Sequence, residues 1–79
     1  MIVNIIEAEV VLVHFPRLLD LRQDSDKTQK EIAAVLGIDQ RVYSNYETGK
    51  REIPVRYIIV LADYYGTTID YIVGRTGRS

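Results

Sequence analysis

Gln40, Arg41, Ser44 and Asn45 place two side-chain amides, a guanidinium and a hydroxyl within six consecutive positions. A planar amide can pair bidentately with adenine and a guanidinium with guanine, while a serine hydroxyl bonds either kind of base edge. This is chemistry for reading a surface rather than for breaking a bond. Groups that would argue for catalysis lack usable spacing: His14 is the single histidine, cysteine is absent, and no glycine-rich loop follows a strand. The carboxylates are scattered over helix surfaces and caps. No catalytic triad, metal site or cofactor site is therefore expected, and the chain does not read as an enzyme.

Side chains of this kind need a rigid rod to carry them, and the local signals supply one. Asp39 suits an N-cap, because its carboxylate meets free amides and the positive end of a helix dipole. A helix over about 39–48 turns Tyr43 and Tyr46 inward with Ile38 and leaves Gln40, Arg41, Ser44 and Asn45 outward. Val42 lies between, able to touch a thymine methyl or to rest beside Ile38. Before this rod, Thr28 and Glu31 stand at capping-box spacing and open a helix over about 28–36. Ile32, Val35 and Leu36 recur as one apolar stripe, Lys30 and Glu31 face out, and Ala33 leaves room for a crossing helix. Gly37 follows, where the left-handed backbone is cheap for glycine. Two short helices joined through such a turn form a helix-turn-helix unit, whose second helix enters the DNA major groove.

From Arg17 to Gly74 the chain resembles DNA-binding domains of the Cro and phage-repressor type, the XRE-like helix-turn-helix family. The resemblance rests on Leu18, Leu21 and Arg22, on Thr28-Gln29, Ile32-Ala33 and Leu36-Gly37-Ile38, and on Tyr46-Glu47, Gly49-Lys50-Arg51-Glu52 and LADYYGTTIDYIVG. It implies an all-α, five-helix, lambda-repressor-like fold. It also implies that Arg22 and Glu47 form an internal, structural ion pair. Lys27 departs from the family, which commonly carries an apolar residue before the Thr-Gln pair.

Size and charge set the frame. Seventy-nine residues, 47% of them apolar, suffice for one small domain. The formal net charge of -1 gives the whole molecule no attraction for nucleic acid, but its distribution is uneven. Residues 1–26 sum to -3 and residues 27–52 to +1. With Glu47 engaged internally, Lys30, Arg41, Lys50 and Arg51 remain around the reading helix for a handful of phosphate contacts. The absence of cysteine suits a reducing cytoplasm.

Three regions follow: an apolar N-terminal arm over 1–15, the helix-turn-helix domain over 16–74, and a polar tail over 75–79 that is expected to fray. Eleven of the first 15 residues are apolar. Val10, Val11, Leu12 and Val13 favour a short strand, although Ile2, Ile5, Ile6, Val10 and Val13 also approximate a helical face. The arm either lies on its own domain, pairs with its twin across a dimer axis, or is a non-native extension; it is too short and too acidic to span a membrane and lacks the features of a signal peptide. Pro16 opens helix one, to which Leu18, Leu19 and Leu21 supply core. Pro54 opens helix four, with Val55, Ile58, Ile59, Ala62 and Tyr65 as its core stripe and Tyr57, Val60, Leu61 and Tyr64 as a second. Gly66, Thr68 and Gly74 bound a fifth helix, in which Ile69, Ile72 and Val73 face inward or toward a partner. Tyr43, Tyr46, Tyr65 and Tyr71 take core-like positions. Tyr57, Val60 and Tyr64, together with Val10, Val11, Leu12 and Val13, are the candidates for a dimer interface.

These readings converge on a sequence-specific regulator of transcription that binds double-stranded DNA, a cytoplasmic repressor working as a homodimer. Gln40, Arg41, Ser44 and Asn45 would contact bases, and Thr28, Gln29, Lys50 and Arg51 would hold phosphates. Gln29 has its own reason to stand at the first turn of helix two, beside free amides that favour phosphate. Two alternatives stay open. One is an antitoxin that covers a protein toxin and also binds DNA; the other is a protein-interaction module of the same fold that has lost DNA contact and meets a protein partner such as an antirepressor.

Overall fold

A computed structural model describes residues 14–77. Among them run five helices, α1 (Arg17–Asp24), α2 (Gln29–Leu36), α3 (Gln40–Glu47), α4 (Val55–Tyr65) and α5 (Ile69–Ile72), with no strand. The expected strand at Val10–Val13, and the pairing of the arm through it, lie outside the described residues.

Local chemistry fixes the ends of these helices. Thr28 accepts from the Glu31 amide at 3.1 Å while its own amide donates to Glu31 Oε1 at 2.8 Å, closing the capping box. Asp39 Oδ1 accepts from the Arg41 amide at 2.7 Å, and Thr68 caps α5 through the Tyr71 amide at 3.0 Å. Between α2 and α3, Gly37 takes φ +70, which lets the Gly37 and Ile38 amides turn back onto the carbonyls of Ala34 and Ala33. The turn is thus closed by backbone bonds, and α3 leaves at a fixed angle.

Helix pairs α2–α3, α4–α5, α1–α5 and α2–α4 pack around one core. Tyr43, Leu18, Ile32, Ile58, Leu61 and Ile72 are its largest fully buried side chains. Each contributes on the order of 1.5–3 kcal/mol by leaving water. Ala33 is buried as well, and its small side chain lets the helices close on each other.

The inward choice differs from expectation at several places. Val55 and Ile59, assigned to the core stripe of α4, are 66% and 44% exposed, whereas Leu61, assigned to the second stripe beside it, is fully buried. Apolar residues fill most of α4, so either flank could have faced in; packing against α2 and α5 selects Ile58, Leu61 and Ala62. Leu19 and Val35 are likewise exposed, since their immediate neighbours Leu18 and Leu36 take the inward positions. Tyr57, a candidate interface residue, is half-buried against the core and meets the Tyr46 ring at 6.0 Å between centroids.

The two ends of the described chain are held down. The Arg17 guanidinium lies 4.2 Å from the centre of the Tyr71 ring and donates to the Tyr71 carbonyl at 2.7 Å and to the Thr76 carbonyl. The Arg75 amide bonds the Asp70 carbonyl at 2.8 Å. Residues 75 and 76, expected to fray, are therefore tied back to α1 and α5.

Candidate nucleic-acid interface

Helix α3 is anchored from behind by one carboxylate. Glu47 is only 5% exposed and lies on the inner side of α3. Its Oε2 accepts from Arg22 Nε and from the Tyr43 hydroxyl, both at 2.8 Å; its Oε1 accepts from Arg22 Nη2 at 2.8 Å and from Gln29 Nε2 at 3.0 Å. Arg22 spends a further N–H on the Lys27 carbonyl at 2.9 Å. Glu47 thus ties α1, α2 and α3 together, and Arg22 adds the loop after α1.

Burial alone would push the Glu47 carboxyl up, yet the donors from Arg22, Gln29 and Tyr43 together hold it below the ordinary glutamate range. Arg22 is pushed upward, chiefly by its hydrogen bonds to Glu47. Burial raises the Tyr43 phenol, and the bond it donates to Glu47 raises it further. The ion pair is therefore charged and the phenol neutral at physiological pH.

Gln29 has a partner inside the fold. Expected at a phosphate, it also donates its side-chain amide to Glu47 across 18 residues of sequence. That bond fixes the start of α2 against the end of α3. A second link also escaped the sequence reading: His14 Nε2 donates to the Glu47 carbonyl at 2.9 Å, and its ring packs over Gly49. His14 thereby caps the C-terminal end of α3. Both contacts join residues far apart in sequence, so no local pattern announces them.

With the inner side fixed, the outer side of α3 is organised in rows, since residues four apart on a helix are neighbours. Gln40 and Ser44 make one row, Arg41 and Asn45 the next, Val42 and Tyr46 the third. Gln40 and Arg41 are exposed, while Ser44 and Asn45 are half-buried rather than fully outward. Two surface concavities flank the Arg41 row. One is lined by Gln29, Asp39, Gln40, Arg41 and Ser44. The other is lined by Asp39, Arg41, Val42, Asn45, Tyr46 and Arg51.

Of the expected phosphate-holding groups, Gln29 and Arg51 line these concavities. Thr28 and Lys50 are exposed, and Thr28 Oγ1 still has its hydroxyl hydrogen to donate while it accepts from Glu31. Arg51 is exposed too, with its amide bonded to the Asn45 carbonyl at 3.1 Å, so the basic turn keeps a fixed register with the row of Arg41 and Asn45. Among the described residues no cluster of His, Cys, Asp or Glu could hold a metal ion, and no helix is long and apolar enough to cross a membrane.

Residues 18–72 match the family model described as helix-turn-helix. The chain belongs to the XRE-like helix-turn-helix family of DNA-binding domains. Relatives of this helix-turn-helix domain in Bacillus subtilis (strain 168) include the uncharacterized HTH-type transcriptional regulator YobD, 33% identical over 60 residues, which are 76% of this chain and 54% of that protein. The HTH-type transcriptional regulator AnsR is 33% identical over 63 residues, covering 80% and 54%. The HTH-type transcriptional regulator ImmR is 36% identical over 59 residues, covering 75% and 46%. The chain spans about half the length of these curated relatives. No solved structure matches it with significance.

Proposed function

We propose that the protein is a sequence-specific regulator of transcription that binds double-stranded DNA through α3, as a repressor and as a homodimer on an inverted repeat. The observation that carries this reading is the division of α3 into two sides. Glu47 and Tyr43 are buried in a fully bonded network, while Gln40 and Arg41 are exposed and the half-buried Ser44 and Asn45 line the two concavities beside Arg41. A rod held this firmly presents its side chains in one register, as bidentate pairing with base edges requires.

Thr28, Lys50 and Arg51 serve as phosphate contacts that set orientation, and Gln29 supports them by fixing α2. A single α3 covers too little surface for selective binding, and two-fold pairing places two such helices about 34 Å apart on successive major grooves. Val60 and Tyr64, 40% and 42% exposed on α4, are the described residues we assign to the contact between protomers. Selection of bound duplexes from a random pool tests the reading. An enriched inverted repeat is the expected result, and a pool that stays random contradicts it.

Exposed Val55, Ile59, Val60 and Ile69 together with the net charge of -1 favour one further reading, a protein-interaction module of the same fold that does not bind DNA. A salt titration on random duplex separates the two, because protein binding alone gives no counterion-release slope.

A further inference from the structure

We propose that Val42 reads the 5-methyl group of a pyrimidine in the major groove, making α3 a reader of methyl groups as well as of hydrogen-bonding edges. The inference rests on the DNA-binding reading above and names a chemical group that this site would recognise.

Three observations support it. Val42 is 36% exposed and stands outside the buried core cluster, although it sits in the middle of a helix that is otherwise polar on its outer side. A β-branched residue there is locally unfavourable, since polar straight-chain residues form helix better and valine loses side-chain freedom. With Tyr46 one turn on, it lines a concavity whose other walls are Asp39, Arg41, Asn45 and Arg51.

That arrangement matches what a thymine offers. In the major groove a T·A pair shows the C5 methyl beside the O4 acceptor and the adenine N6 donor and N7 acceptor. Asn45 is built to pair with the adenine edge, and Val42 stands in the row beside Arg41 and Asn45. A bare C5–H at that place leaves the valine methyls facing water. A 5-methylcytosine carries the same methyl, with a donor where thymine has an acceptor.

The test starts from duplexes selected from a random pool with the 79-residue chain. Each thymine in the enriched site is replaced in turn by deoxyuridine, which removes one methyl and nothing else. One thymine per half-site is expected to lose affinity by roughly three- to fivefold, the worth of one buried methyl group. In Val42→Ala that penalty disappears. The variant folds, because alanine is the better helix former at an exposed position. A second selection from a pool in which cytosine is replaced by 5-methylcytosine separates the carriers. A site recovered from the ordinary pool assigns thymine, and a site recovered only from the methylated pool assigns 5-methylcytosine. A penalty of equal size in Val42→Ala, or no methyl whose removal matters, overturns the proposal and leaves reading by α3 intact. Failure to enrich any duplex from either pool overturns both.

Discussion

Arg22 and Glu47, 25 positions apart in the chain, meet in a two-pronged ion pair whose contacts are both 2.8 Å, with 14% and 4% of their side chains exposed. The pair joins α1 to the inner side of α3. Removing one partner leaves the other charged group buried without compensation, which costs about 3–5 kcal/mol. Arg22→Ala should therefore come close to unfolding a domain of this size in a urea titration. Replacing both residues, as Arg22→Met with Glu47→Leu, should cost clearly less than the single change. Equal losses for the single and double variants would show that charge burial is not what holds α3.

Acid should act through the same carboxylate. Glu47 titrates below the ordinary value of 4.5 when folded, so the stability it contributes is complete above about 4.5 and is lost as pH falls through its folded value. Tyr43→Phe deletes the phenol that donates to Oε2, costs about 1–2 kcal/mol, and moves the folded value up toward 4.5. The acid-unfolding midpoint, followed by far-UV circular dichroism, should move to higher pH in that variant. An unchanged or lower midpoint would contradict the assignment.

How legible these features were depended on distance along the chain. Capping at Thr28–Glu31, the left-handed Gly37 and the Asp39 cap are each decided within a few residues, and all could be read from residue type and spacing. The inward side of α4 could not. Val55 and Ile59 compete with Leu61 on a helix that is apolar nearly all round, and only packing against α2 and α5 decides between them. Gln29 on Glu47 and His14 on the Glu47 carbonyl join residues 18 and 33 positions apart, so they belong to tertiary structure alone.

Gly49 follows α3 at φ +82, with the His14 ring 3.1–3.2 Å from where a Cβ would stand. Gly49→Ala should destabilise the domain by about 1–2 kcal/mol through the backbone alone. At about 4–8 °C per kcal/mol, that is a readily measured fall in Tm. If the His14 contact adds to the strain, placing Gly49→Ala in a His14→Ala background should recover part of the loss. No recovery would mean that the ring gives way without cost.

Lys50 is exposed in the basic turn that follows α3. As a phosphate contact it should weaken binding to every duplex alike when replaced by alanine, and the slope of log affinity against log salt should shrink by about one. An unchanged slope would remove Lys50 from the phosphate-holding set.

Base reading by the outer side of α3 is tested most directly by comparing how Arg41→Ala binds the selected duplex and the same duplex with one base pair changed at a time. Arg41→Ala should lose about 1–3 kcal/mol on the selected duplex and should no longer discriminate at one base pair per half-site. Equal losses on every duplex, with discrimination intact at all positions, would contradict the claim that this helix reads sequence through Arg41.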